Sequence, residues 1–106
     1  MADRPDSPRS PHRKESILLA AMLLDARVSA GLTQLDAASR LGVAQTLISK
    51  IEVGERKIEL VIVRDLCRIY GIDFLKFIAA YDSAASRGRS TPPARLIRKD
   101  KGVRRR

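Results

Sequence analysis

Tryptophan is absent, cysteine and histidine occur once each (Cys67 and His12), and aromatic side chains make up only 4% of the 106 residues. A lone Cys67 cannot close an internal disulfide, which excludes oxidative stapling and fits a reducing compartment. One cysteine and one histidine cannot build a zinc site within one chain, so no metal is expected, and no other cofactor. A core with so few aromatics must be assembled from Leu, Ile, Val and Ala, which suits short packed helices better than a sheet. Long apolar runs are missing as well. The longest, Ile17 to Leu24, stops at Asp25, well short of the roughly 18 residues that cross a bilayer. The start, MADRPDSPRSPHRK, has neither an apolar centre nor a small-residue cleavage pattern, so it does not read as a signal peptide. A soluble, cytoplasmic protein without a membrane partner is the expectation. Catalytic groupings are lacking too. There is no His-centred triad, no phosphate-cradling glycine loop, no metal-ligand spacing and no paired carboxylates with a plausible pocket, so the chain does not read as an enzyme.

What the chain has in plenty is positive charge, net +9, and its placement matters more than its size. Residues 1–14 carry four basic and two acidic groups, residues 15–86 eight and nine, and residues 87–106 nine and one. The middle is therefore nearly neutral at −1, while the C-terminal stretch holds +8. Three prolines and hardly an apolar side chain in residues 1–14 imply a disordered arm. Arg, Ser, Pro and Lys dominate from Arg87 onward, implying a basic disordered tail. Such a tail would attract phosphates without reading sequence, with an affinity that falls steeply with salt. A purely solubilising tail is the plainer alternative.

Residues 15–86 divide into five helices by their punctuation. The first runs from about Glu15 to Ala30, with Leu19, Leu23, Ala26 and Ala30 at helical spacing and Gly31 as its stop. Thr33 caps the second, about Gln34 to Leu41, and Gly42 ends it. The third spans about Gln45 to Val53 with Ile48 and Ile51 inward, and Gly54 closes it. After the loop Gly54-Glu55-Arg56-Lys57 comes a fourth helix, about Leu60 to Tyr70. Gly71 stops that one, and Asp73 caps a fifth, about Phe74 to Ala85. The reading is all-α: one domain over 15–86 between an arm and a tail.

The second and third helices have the makings of a tight corner, over about 34–53. Ala37 and Ala38 are small where the helices must approach, Gly42 suits a sharp turn, and Val43, Ile48 and Ile51 lock the third helix in place. The opposite side of that helix presents Gln45, Thr46, Ser49 and Lys50. These are hydrogen-bonding groups with no acid among them, as base edges and phosphates require. The plainer reading is that a helix's outer face is polar anyway. In the loop that follows, Arg56 and Lys57 are candidate phosphate contacts, against simple solvated charge. Cys67 falls on the inner side of the fourth helix and reads as a packing thiol.

From Leu23 to Phe77 the sequence resembles the Cro/phage-repressor (Xre-type) helix-turn-helix family. The resemblance rests on Arg27, Gly31-Leu32-Thr33-Gln34, Ala38, Leu41-Gly42-Val43, Gln45, Ile48-Ser49, Glu52, Gly54, Arg56, Val63, Leu66-Cys67 and Gly71-Ile72. It implies a five-helix, lambda-repressor-like DNA-binding domain of bacterial or phage type, usually a two-fold dimer, with its third helix laid in the major groove of double-stranded DNA. It also implies that Gln45 reads a base, that Gln34 clamps a phosphate, and that Arg27 and Glu52 form an ion pair tying the first helix to the end of the third. Three positions depart from the family. Ala44 stands where Ser or Thr usually caps the third helix, Ala37 replaces a usual Leu, and Leu35 sits where a polar residue is common.

One such domain reads only a few base pairs, so two copies on half-sites about one helical turn apart are expected, forming a homodimer on a palindromic operator. Surplus apolar side chains on the fourth and fifth helices, namely Ile62, Ile69, Phe74, Leu75, Phe77, Ile78 and Tyr81, are the expected two-fold interface. The function expected is a transcriptional regulator, a repressor or autoregulator. An antitoxin or adaptor of the same fold, binding chiefly a protein partner, is the alternative for which Leu35 and the alanines leave room.

Overall fold

The computed structural model describes residues 13–88. Of the expected arm and tail, residues 1–12 and 89–106 lie outside them. Within them are five helices: α1 (Arg13–Ser29), α2 (Gln34–Leu41), α3 (Gln45–Glu52), α4 (Leu60–Tyr70) and α5 (Phe74–Ser86). Arg13 and Lys14, assigned to the arm by composition, are the first residues of α1. Among the described residues no single helix is long and apolar enough to cross a membrane.

α1 is the hub, packing on α3, α4 and α5. Its buried residues are Leu18, Ala20, Met22, Leu23 and Ala26. Leu19 and Ala30, expected on the core stripe, are only half-buried. The physical reason is the run Ile17 to Leu24: an element apolar on every side, with three helices around it, has no single inward stripe for spacing to reveal. α2 turns away from α1 by 99° and pairs closely with α3. Ala37 and Ala38, both fully buried, supply the closeness, since a larger side chain would hold the helices apart. Val63, Leu66, Cys67 and Tyr70 from α4 and Phe77 and Ala84 from α5 close the core with Ile48 and Ile51.

The corner between α2 and α3 depends on Gly42, whose φ of 83° lies in the left-handed region open to glycine at little cost. Its N–H and that of Val43 both bond the Ala38 carbonyl, which finishes α2 and redirects the chain within three residues.

Candidate nucleic-acid interface

The two helices of the corner begin differently. At the start of α2 the Thr33 hydroxyl accepts from the Asp36 N–H (3.0 Å), and the Asp36 carboxylate accepts from the Thr33 N–H (2.9 Å). This is a reciprocal capping box. The Thr33 N–H most of all, and next the Thr33 side chain, hold the Asp36 carboxyl below its ordinary range. At the start of α3, Ala44 has extended backbone but no side chain to cap with. The first turn of α3 therefore begins without a side-chain acceptor, and its Leu47 N–H turns to the Ala44 carbonyl at 3.0 Å.

A chain of hydrogen bonds joins the two starts to the rest of the domain. Arg27 of α1 grips Glu52 at the end of α3 in a fork, Nε to Oε2 at 2.7 Å and Nη2 to Oε1 at 3.0 Å. Its remaining nitrogen, Nη1, donates to the Leu32 carbonyl at 2.8 Å. The pair is partly buried, with Arg27 12% and Glu52 2% exposed in their side chains. The Glu52 hydrogen bond raises the pKa of the guanidinium above its ordinary value. Glu52 Oε1 also accepts from Gln34 Nε2 (3.0 Å), and Gln34 Oε1 accepts from Gln45 Nε2 (3.0 Å). Arg27, Glu52, Gln34 and Gln45 thus form one line from the hub helix to the tip of α3. Sequence reading placed all four without seeing the links from Gln34 to Glu52 and Gln45. The available signal was that both glutamines are the first residues of their helices.

Gln45, Thr46 and Lys50 are exposed, while Ser49 is half-buried at the edge of the same side. With one Gln45 N–H spent on Gln34, its Oε1 and second N–H remain to accept and donate outward, the pattern an adenine edge presents in complement. Arg56 and Lys57 are exposed in the loop after α3. Among the described residues no group of His, Cys, Asp and Glu is placed to hold a metal ion.

The expected interface residues fall into three groups. Ile62, Ile69, Phe74, Ile78 and Tyr81 are half-buried, and Leu75 stands 75% exposed. Phe77 is 0% exposed and belongs to the core of its own chain, so its place among the interface residues is withdrawn. Phe77 and Ala84, about two turns apart on α5, are both buried, whereas Leu75 and Ala79 are exposed on its outer side.

A short helix fixed at a tight corner, with a second helix presenting an acid-free polar side outward, defines the helix-turn-helix class of DNA-binding domain. The helix-turn-helix family model matches residues 23–77, just over half of the chain. The chain belongs to that family, of the Cro/C1 type. No curated protein matches it.

Proposed function

We propose that the protein is a sequence-specific transcription regulator, a repressor or autoregulator, that binds double-stranded DNA as a homodimer on a palindromic operator. The observation that carries this reading is the outward polar side of α3, with Gln45 oriented by Gln34 and through it by the Arg27–Glu52 pair. Gln45, Thr46, Ser49 and Lys50 meet base edges. Gln34, Arg56 and Lys57 meet phosphates. The two-fold interface draws on Ile62, Ile69, Phe74, Leu75, Ile78 and Tyr81. As a protein of bacterial or phage type it would work in the cytoplasm, where the DNA is. Leu35, 63% exposed on α2, favours a second reading in which the fold serves as an antitoxin or adaptor for a protein partner.

Selection from randomised duplexes with the pure protein tests the assignment. An enriched palindrome is the result expected. Salt-sensitive binding with no enriched site would point to the adaptor.

A further inference from the structure

An ionised carboxylate offers acceptors and no donor, whereas a primary amide has one end that accepts and one that donates. That difference gives the line of hydrogen bonds ending at Gln45 a direction. Both oxygens of Glu52 accept from Arg27, and Oε1 accepts from Gln34 Nε2 as well. Turned the other way round, Gln34 would set its own oxygen against a carboxylate oxygen, acceptor against acceptor, where the Glu52 side chain is almost shut off from water. Such a mismatch is costly. Gln34 Oε1 is therefore left facing Gln45. It can only accept, so Gln45 meets it with Nε2.

Turning the Gln45 amide over changes what it reads. With Nε2 engaged by Gln34, Gln45 presents an oxygen and one N–H outward, the complement of adenine N6–H and N7. With Oε1 engaged instead, it would present two N–H groups and no acceptor, the complement of guanine N7 and O6. Nothing within Gln45 decides between these states, because the residue is exposed and the two ends of its amide have nearly the same shape. We infer that the Glu52 carboxylate is a positioning residue that sets base preference at a distance. By fixing the direction of the Gln34 amide, it holds Gln45 in the state that selects adenine over guanine. The inference rests on the reading that Gln45 meets a base edge, and it names the residue that decides which base. Two duties within the ion pair are thereby separated. Arg27 holds the end of α3, and Glu52 also sends a direction along the two glutamines.

Competition between duplexes tests this with the full chain. In the site selected by wild type, the base pair read by Gln45 is the one at which Gln45→Ala loses its preference, and adenine is expected there. Duplexes with adenine or guanine at that position then compete for wild type, Glu52→Gln and Gln34→Met, at low salt so that weakened binding is still measured. Circular dichroism verifies that each variant keeps its helices. Gln34→Met breaks the same line without touching the Arg27–Glu52 fork, and so serves where Glu52→Gln does not fold. Wild type should favour adenine by about tenfold or more. Both variants should bind the two duplexes within about threefold of each other, because the Gln45 amide is free to turn over. Their preferences at the other base pairs should stay as in wild type, whereas a merely structural role would weaken all sequences alike. A folded variant of either kind that keeps the full adenine preference overturns the inference, as does a wild type that selects another base at that pair. A wild type with no enriched site removes the proposed function, and the inference with it.

Discussion

Arg27 and Glu52 are 25 positions apart, yet a two-bond fork joins them across α1 and α3. A buried pair contributes little net stability over an apolar replacement, but removing one partner strands the other's charge. Arg27→Ala should therefore cost about 3 kcal/mol, the low end for such losses because Arg27 keeps some contact with water. It should also weaken DNA binding although no base contact is removed. Urea denaturation and duplex titration read the two effects. Arg27→Lys keeps the charge without the fork and should recover only part of either. Unchanged stability and affinity in Arg27→Ala would disprove the role given to the pair.

Two other buried residues make an alkaline prediction. Burial, and next the charge of Asp73, pushes the Cys67 thiol up to about 12. Burial, and next the charge of Glu52, pushes the Tyr70 phenol up to about 12. The Tyr70 hydroxyl has no hydrogen-bond partner among the described residues. Both groups lose protons more readily when unfolded, near about 8.5 and 10 respectively. Their neutral forms favour the fold fully below those values, and that advantage drains away as pH rises toward 12. Stability should fall from about pH 9 upward, and less steeply in Tyr70→Phe. Native Cys67 should resist a thiol reagent at pH 8 until urea unfolds the chain.

At the scale of elements, the capped start of α2 and the uncapped start of α3 are a natural comparison. Ala44→Ser should stabilise the domain by about 1 kcal/mol by supplying the missing acceptor. Thermal melts measure this, and no gain would mean that the α3 start does not have the geometry described. The α2 box has an acid limit. Asp36 binds its proton less tightly when folded, so its contribution is present above the ordinary carboxylate pKa and is lost as pH falls below it. Asp36→Asn, which removes the titrating group, should flatten the acid limb of stability below about pH 4, as acid titration followed by circular dichroism would show.

The element starts and stops were legible because they depend on local chemistry. Thr33, Gly42, Gly71 and Asp73 each do their work within four residues. The inward side of α1 was not, since its apolar run fits three neighbours at once. Phe77 and Leu75 could not be told apart in an apolar stretch whose two sides differ in which one α1 and α4 cover. Ile48, Ile51 and the polar side of α3 were readable because the two kinds of residue alternate at helical spacing. The bonds from Gln34 depend on how α2 sits on α3, which Ala37 and Ala38 permit but do not announce.

For the molecule as a whole, α1 fixes the corner from behind, α2 supports α3 from the side, and α4 and α5 complete the core while leaving apolar surface on their outer sides. The outward side of residues 45–50 is the part proposed to meet DNA. Titrating a selected duplex into ¹⁵N-labelled protein and following the backbone and glutamine side-chain amides measures that directly. The largest shifts should fall on Gln34 and on Gln45 to Lys50, with both glutamine side-chain signals moving together. Saturable binding that leaves those signals in place, with the shifts on α4 and α5 instead, would contradict it.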